Sequence, residues 1–383
     1  MKIVHFCLSC FYVDGYAYQE NQLVAQHVLE GHDVTVIAST ESFDGQRRPC
    51  NVEPGDYMGT DGARVIRLPY RKWFPSRISA KIRAYPGVMA LLNELNPDVV
   101  VFHGLCAWEM LTAAQYAAIN PTMKLYADCH EDVNNSARNP ISKWVLHFGF
   151  YRPIIRRCLP LIRKVLCISQ ESISFARDMY DIPPEKLEFY PLGGHVFDDD
   201  AYRTRRSMLR EKHGWDEHTR VFVQSGKIDA AKRLTDSLRA FRNLDSSPYL
   251  RFVIAGRIMP DVEAEVRPLI GDDGRVIEAG WLEPEQLQTL LCAADVYVQP
   301  GSQSATMQMS LCCRCPVVLA DVPSHRALYE DNGYLVQDSS GLTKALEEFS
   351  KMSQRQLAAM SERSVSIANK LLDYRQLARR VLN

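Results

Sequence analysis

The stretch that decides the fold is residues 19–38, which read QENQLVAQHVLEGHDVTVIA. Its first half carries apolar residues at helical spacing, and Gly31 can take the left-handed conformation that ends a helix. An apolar strand, residues 33–38, follows at once, and another, residues 3–7, precedes the helix. Strand, helix and strand with near-continuous apolar runs are typical of parallel sheets covered by helices on both faces.

The same alternation continues along the chain. We predict strands that begin near Ile3, Val34, Val65, Val99, Lys124, Val165 and Leu187, and a second series near Val221, Leu250, Val276, Val296, Pro316 and Gly333. The alternation breaks once, between residues 190 and 215. For 383 residues this predicts an α/β fold of two doubly wound domains facing across a cleft, residues 1–195 and 196–360, with a helix over 361–383.

Composition excludes several classes of protein. Lys plus Arg number 45 and Asp plus Glu 46, so the net charge of -1 argues against binding nucleic acid through general basic charge. The apolar fraction of 46% argues against disorder. Eleven scattered cysteines, with no signal peptide and no run long enough to span a bilayer, predict free thiols in the cytoplasm.

Two loops of the second predicted domain suit an anion. Gly226 follows a strand, and Lys227 and Lys232 stand five residues apart on the loop and at the next helix start, where both can reach one diphosphate. The small-residue loop 300–306 leads into a helix N-terminus, whose free N–H groups and dipole favour phosphate. The alternatives are a solvated helix start and an ordinary turn capped by serine.

The first predicted domain ends its strands differently. The loop 12–21 is rich in aromatic and amide side chains, suited to polyols, and lacks the G-x-G-x-x-G spacing of a dinucleotide site. One strand ends at His103, and the next ends in Asp128-Cys129-His130-Glu131-Asp132. Because strand alternation points adjacent carboxylates apart, we expect a histidine–carboxylate pair here rather than a metal site.

Together these residues resemble the GT-B glycosyltransferases, in particular the retaining, nucleotide-sugar-dependent transferases of family 4, over nearly the whole chain. The shared markers are Gly15 and Gln19 before the helix that ends at Gly31, His103-Gly104, His130, Ser225-Gly226-Lys227, Lys232, Ala279-Gly280-Trp281-Leu282, Ala293-Ala294-Asp295-Val296 and Pro316-Val317-Val318-Leu319-Ala320. The loop from Pro300 to Ser304, with Tyr18-Gln19-Glu20-Asn21, is most similar to bacterial capsule and O-antigen members.

The resemblance implies roles for residues and domains. It makes 1–195 a Rossmann-like acceptor domain, 196–360 a Rossmann-like donor domain, and 361–383 a helix that crosses back onto the first. The expected catalytic residues are His130, on the transferred sugar, and Lys227 and Lys232, on the donor diphosphate. The expected donor-binding residues are Gly15, Tyr16, Gln19, Gly226, Gly280, Trp281, Gly301, Ser302, Gln303, Ser304 and Gln308. No metal or cofactor is expected, and the partners are a nucleotide-diphosphate sugar and a saccharide acceptor.

One departure keeps other functions open. The family usually has two glutamates eight residues apart, where this chain has Gly301 and Met309, with the amides Gln303 and Gln308 nearby. A GT-B sugar-nucleotide epimerase and a non-catalytic sugar-nucleotide-binding partner subunit are therefore the alternatives to a retaining transferase of polysaccharide biosynthesis.

Two acid-free basic stretches bear on the acceptor. Residues 67–93 and 142–166 each hold six Lys or Arg residues and no acid, interleaved with Trp, Phe and Tyr. Such stretches suit an anionic membrane surface, the alternative being solvated helices over a core. They favour a lipid-linked saccharide acceptor and a peripheral position at the inner face of the cytoplasmic membrane.

Overall fold

The computed structural model describes residues 1–44, 48–133, 135–271 and 273–382. The chain divides into two compact units, Met1–Pro191 with the last residues from Leu377 onwards, and Leu192–Gln376. The division between Pro191 and Leu192 lies four residues before the boundary at 195 that the sequence predicts. Each unit is a largely parallel sheet with helices, so the predicted α/β class with two doubly wound domains is confirmed.

The described residues of the first unit form ten strands. They are β1 (Lys2–Cys7), β2 (Asp33–Ser39), β3 (Glu41–Phe43), β4 (Pro49–Asn51), β5 (Gly55–Met58), β6 (Arg64–Leu68), β7 (Val99–Phe102), β8 (Lys124–Cys129), β9 (Ile162–Cys167) and β10 (Leu187–Phe189). Eight form one sheet in the order β10-β9-β8-β7-β1-β2-β6-β5, and β3 pairs with β4 in a separate two-stranded sheet. All neighbours in the large sheet run parallel except β5, which is antiparallel to β6. The strand order reverses between β1 and β7, which makes that point the expected ligand position.

Helices cover both faces of this sheet. They are α1 (Gln19–Leu29), α2 (Ser76–Ile82), α3 (Val88–Leu95), α4 (Met110–Ile119), a π-helix (Ile141–Tyr151), α5 (Arg152–Cys158) and α6 (Gln170–Tyr180), with 3-10 turns at Leu159–Leu161 and Pro184–Lys186. Successive side chains of β1 enter different cores, since Phe6 belongs to the larger cluster and Cys7 to the smaller one under α1. Burial on both faces explains why these strands read as continuous apolar runs.

In the part of the second unit that the structure describes there are six strands, all parallel. They are β11 (Arg220–Ile228), β12 (Leu250–Ile258), β13 (Val276–Gly280), β14 (Val296–Gln299), β15 (Val317–Ala320) and β16 (Gly333–Val336), in the order β13-β12-β11-β14-β15-β16. The strand order reverses between β11 and β14. All thirteen strands predicted from the apolar runs are present, while β3, β4 and β5 are additional.

The first helix of the second unit begins at Asp199, shortly after the unit itself begins at Leu192. The helices of this unit are α7 (Asp199–His213), α8 (Leu234–Arg242), α9 (Pro260–Ile270), α10 (Pro284–Ala293), α11 (Ala305–Cys312), α12 (Pro323–Arg326), α13 (Ser339–Lys351) and α14 (Gln354–Leu371), with a 3-10 turn at Ala230–Lys232. The last helix, α15 (Tyr374–Arg380), begins in the second unit and ends in the first, which includes the residues from Leu377 onwards. Asp198 caps α7 by accepting from the Ala201 N–H. The region 361–383, predicted as one helix, is divided between α14 and α15.

Candidate active site

In the first unit, polar side chains gather at the carboxyl ends of β7 and β8, beside the point where the strand order reverses. His103 follows β7 and is buried, and Asp128 lies near the end of β8. The His103 Nδ1–H donates to Asp128 Oδ2 at 2.5 Å, and the Gly104 N–H donates to Asp128 Oδ1 at 2.6 Å. His130 Nε2 lies 3.5 Å from the same Oδ1, and its ring is about one-third exposed.

These contacts set the charges of the cluster. Burial would raise the pKa of Asp128, but the imidazoles of His130 and His103 outweigh that effect and hold it well below its usual range. Burial opposes protonation of both imidazoles, yet the Asp128 carboxylate raises the pKa of each to about 9. His130 therefore presents a charged, partly exposed N–H-bearing ring at the sheet edge, as the predicted histidine–carboxylate pair requires.

The cluster continues inward through two histidines that sequence reasoning did not single out. His5 Nδ1 lies 2.9 Å from His103 Nε2, and His5 Nε2 lies 3.0 Å from His27 Nδ1. The His27 Nε2–H donates to the Ala378 carbonyl of α15 at 3.0 Å. All three rings are buried. Only the adjacency of β1, β7 and α1 in the fold brings these distant positions together.

The loop after β1 lies at the same sheet edge. Gly15 is exposed and has a φ of 75°, a conformation that favours glycine. Tyr16 is half-buried, whereas Gln19 is buried at the start of α1. Asn21 anchors the loop by donating to the Val13 carbonyl at 3.1 Å. Gly15 and Tyr16 are thus on the surface of the loop, and Gln19 is part of its base.

In the second unit, the predicted basic loop is partly strand. β11 continues past Ser225 to Ile228, because residues 226–228 stay paired with 256–258 of β12. Lys227 is exposed, and its register partner is the exposed Arg257. The sequence prediction placed Lys227 on a loop and missed Arg257, which the pairing puts beside it.

Lys232 lies in the 3-10 turn after β11 and is only 8% exposed. Its Nζ donates to the carbonyls of Ser302 at 2.9 Å and Gln303 at 2.8 Å. Burial lowers the pKa of this ammonium to about 8, against the opposing charge of Asp229. The fold therefore brings Lys232 against the predicted anion loop, across the reversal between β11 and β14.

Gly301 is the residue that allows this approach. The Ser302 N–H donates to the Ala231 carbonyl at 2.8 Å. A Cβ built on Gly301 would lie 2.0 Å from that carbonyl oxygen. Position 301 therefore has no room for the glutamate that the family usually carries there.

The rest of the loop 300–306 is polar and leads into α11. Ser304 precedes the helix without capping it through its side chain, which instead contacts Thr306 Oγ1 at 3.0 Å. Thr306 Oγ1 donates to the Ser225 carbonyl, which connects this loop to β11. Gln308, further along α11, is fully buried, and neither its Oε1 nor its Nε2 has a hydrogen-bond partner among the described residues.

The two remaining predicted donor-binding residues, Gly280 and Trp281, lie at the end of β13. Gly280 has a φ of 67°, and the Trp281 ring is 56% exposed. β13 is the edge strand on the far side of β12 from β11. One strand, β12, therefore lies between β13, at whose end Gly280 and Trp281 stand, and β11, which Lys232 follows.

The basic aromatic stretches of the first unit form one exposed surface. α2 and the π-helix are joined by the Tyr151 hydroxyl, which donates to the Lys81 carbonyl. The exposed side chains of this surface are Lys72, Trp73, Phe74, Arg77, Ile78, Lys81, Ile141, Lys143, Trp144, Val145 and Phe148. Arg67 is not among them, because it is buried and donates to the Ser39 and Tyr12 carbonyls. Among the described residues, no helix is both long enough and apolar enough to cross a membrane.

Comparison with known proteins agrees with this architecture. Residues 21–193 match the model of glycosyltransferase family 4, and residues 219–351 match that of glycosyl transferases group 1. No curated protein matches the sequence. Among the described residues, no group of three or more His, Cys, Asp or Glu side chains is placed to hold a metal ion.

Solved structures share the fold at low sequence identity. HepE of Anabaena, in complex with UDP, is 16% identical with a TM-score of 0.64, covering 100% of this chain and 98% of its own. Sucrose-phosphate synthase from Thermosynechococcus elongatus is 14% identical with a TM-score of 0.66, covering 99% and 97%. WaaG, a glycosyltransferase involved in lipopolysaccharide biosynthesis, is 18% identical with a TM-score of 0.59, covering 98% of both chains. The two family matches and the shared fold together show that this chain belongs to the glycosyltransferases of the GT-B fold.

Proposed function

We propose that the chain is a retaining glycosyltransferase that moves a sugar from a nucleotide-diphosphate donor to a saccharide acceptor in surface polysaccharide biosynthesis. HepE, which shares the fold, has been solved with UDP and with UDP-glucose, so a UDP-sugar is the first donor to test. WaaG supports the assignment to a surface saccharide.

The observation that carries this proposal is the position of Lys232. Its ammonium lies against the loop before α11, at the carboxyl edge where the strand order reverses. Lys227 and Arg257 add two exposed cations at the ends of the neighbouring strands. We propose that these three cations and the N-terminus of α11 together hold the donor diphosphate.

The chemistry follows from where charge develops. The bond from the anomeric carbon to the diphosphate oxygen breaks while the acceptor oxygen bonds to the same carbon. The negative charge that develops on the leaving oxygen is stabilised by Lys227, Lys232 and the N–H groups that begin α11. The leaving phosphate takes the acceptor proton, and attack on the same face retains the configuration. His130 is proposed to donate a hydrogen bond to a hydroxyl of the transferred sugar.

Amides are proposed to replace the missing carboxylates in donor recognition. Gly301 has no space for a side chain, and Met309 offers no polar group. Gln303 is at the loop itself, and Gln308 is a buried amide with unused donor and acceptor capacity. We propose that these two amides hydrogen-bond the ribose or sugar hydroxyls of the donor, with Gly15, Tyr16, Gln19, Gly226, Ser302, Ser304, Gly280 and Trp281 completing the site.

The acceptor is proposed to be lipid-linked. The basic aromatic surface carries tryptophans that suit the headgroup region and cations that suit anionic lipid. Co-sedimentation with phosphatidylglycerol vesicles should be lost in a Trp73→Ser, Trp144→Ser double variant. Tyr249→Ser, which removes an exposed aromatic ring of the second unit, is the control and should bind as the wild type does. Equal binding by the double variant would contradict the membrane assignment.

The function itself is tested by incubating the protein with a panel of nucleotide sugars and a bacterial lipid extract. Transfer into lipid, with the product anomer matching the donor anomer by NMR, is the expected result. An inverted product would refute the retaining mechanism. Conversion of the free sugar nucleotide without transfer would instead indicate an epimerase, and binding without turnover would indicate a partner subunit.

A further inference from the structure

The buried histidines His5, His27 and His103 form a hydrogen-bonded chain with fixed ends. At one end the acceptor is the Ala378 carbonyl, and at the other it is the Asp128 carboxylate. Four hydrogen bonds join these five groups in a line. The chain thus runs from the C-terminal helix α15 to the carboxylate that contacts His130.

The number of hydrogen bonds fixes how many protons this row of histidine rings must hold. Each of the four bonds needs one hydrogen, and a carbonyl or an ionised carboxylate supplies none. Each neutral imidazole carries one N–H, so three neutral rings supply only three hydrogens. The chain is fully bonded only when it holds one proton more than three neutral rings carry.

We propose that His5, His27 and His103 are positioning residues that store this one proton beside Asp128, and that the stored proton sets how much negative charge Asp128 presents to His130. The storage of the proton depends on the contacts alone, and only its value for catalysis rests on the proposed function.

The surroundings place the extra proton on His103. Burial lowers the pKa of His5, and the neighbouring imidazoles of His27 and His103 also disfavour a charge on it. Burial also lowers the pKa of His27 to about 4. The pKa of His103 is instead raised, because Asp128 outweighs its burial. His5 and His27 are therefore neutral, and their tautomers follow from the Ala378 carbonyl.

Other titratable groups face this row of histidines from neighbouring elements. Glu20 of α1 acts on His103 and His130, and Cys7 of β1 also acts on His103. Glu131 acts on His130 from the loop after β8. Glu30 and His32 act on His27 with opposite signs. Asp128 itself stands between two imidazolium rings, so loss of one should strengthen the hold of the other on its proton.

The test uses the whole protein labelled with 15N-histidine, without donor or acceptor. At pH 7 the wild type should give imidazolium signals for His103 and neutral signals for His5 and His27. In His27→Phe two rings remain for two bonds, so the extra proton is no longer needed. The titration midpoint of His103 should then fall below that of the wild type, and the titration midpoint of His130 should move to higher pH.

His27→Gln is the conservative variant, because its amide can donate to Ala378 and accept from His5. Three hydrogen bonds then need a hydrogen from an imidazole, and two neutral rings supply only two. His103 should therefore remain an imidazolium. His147→Phe removes another buried histidine of the same unit, one bonded to Tyr180, and should leave His103 unchanged. A neutral His103 at pH 7 in the wild type or in His27→Gln, or a His103 midpoint in His27→Phe equal to that of the wild type, would overturn the proposal.

The outcome is separable from the proposed function and from folding. The NMR spectra decide the proton count even if the protein transfers no sugar. If His27→Phe does not fold, the wild-type and His27→Gln spectra still decide it. In a protein that is active, the pH profile of kcat in His27→Phe should follow the shifted midpoint of His130, which a purely structural defect would not produce.

Discussion

The pH dependence of nucleotide binding tests the role of Lys232 most directly. Its buried ammonium has a pKa lowered to about 8, whereas a lysine beside an anion keeps its charge to about pH 10 or above. A bound diphosphate should therefore return the pKa to its ordinary value. Binding then takes up a proton above pH 8, and the affinity falls as the pH rises.

The size of the effect follows from the two pKa values. With a free-protein pKa of about 8 and a bound value of about 10.4, the dissociation constant for UDP should rise about tenfold between pH 7 and pH 9. That change corresponds to about 1.4 kcal/mol of binding free energy. Lys232→Met, which keeps the apolar stem and removes the ammonium, should bind UDP more weakly at pH 7 and lose this slope.

Isothermal titration calorimetry of UDP at pH 7, 8 and 9 measures both effects. In buffers of different ionisation enthalpy, the wild type should also show proton uptake at pH 8.5. Lys344→Met, an exposed lysine on α13, is the matched control and should behave as the wild type does. A wild type without pH dependence, or a slope that survives in Lys232→Met, would refute the assignment of the diphosphate to Lys232.

Three further predictions concern neighbouring residues. Arg257→Ala should weaken UDP binding about tenfold, the value of one charge-assisted contact, without changing the melting temperature, and unchanged affinity would remove Arg257 from the site. Gly301→Ala places a Cβ 2.0 Å from the Ala231 carbonyl oxygen and should lower both melting temperature and UDP affinity, whereas Gly341→Ala, whose nearest neighbour is 3.6 Å away, should leave UDP affinity unchanged. His103 has a pKa of about 9 in the folded protein and about 6.5 in the unfolded chain, so its protonation adds about 3 kcal/mol to the free energy of unfolding. This contribution is present below pH 6.5 and is lost as the pH rises through 9. Urea unfolding should therefore show a larger difference between wild type and His103→Gln at pH 6.5 than at pH 9.5, and an equal difference at both would contradict this.

The sequence predicted the strands that are buried on both faces, because such strands are almost entirely apolar. All thirteen strands that read as apolar runs exist, because both faces of each sheet are covered. β5 has no buried residue, so it left no such pattern. The extension of β11 to Ile228 was missed for a different reason, since it depends on pairing with β12, about thirty residues away.

The same distinction holds for the candidate site, where local patterns predict some features and tertiary contacts produce the others. Lys232 and the loop 300–304 were predictable from local signals, namely a cation after a strand and small residues before a helix. The approach of Gly301 to Ala231 and the line from His5 to His27 and His103 are tertiary. A lone histidine in a strand gives no sign of the ring that another strand will place against it.

The position of the last residues has a consequence for how the protein is made. The Tyr190 hydroxyl donates to the Leu377 carbonyl, and Lys124 Nζ donates to the Leu382 carbonyl. The first unit therefore contains residues that are translated after the entire second unit. Ala378, the last acceptor of the histidine chain, leaves the ribosome in the same segment. A nascent chain that stops before Leu377 would contain the whole second unit but an incomplete first unit. In such a chain His27 would lack the Ala378 carbonyl, so the row of hydrogen bonds from His27 to Asp128 would lose its first acceptor.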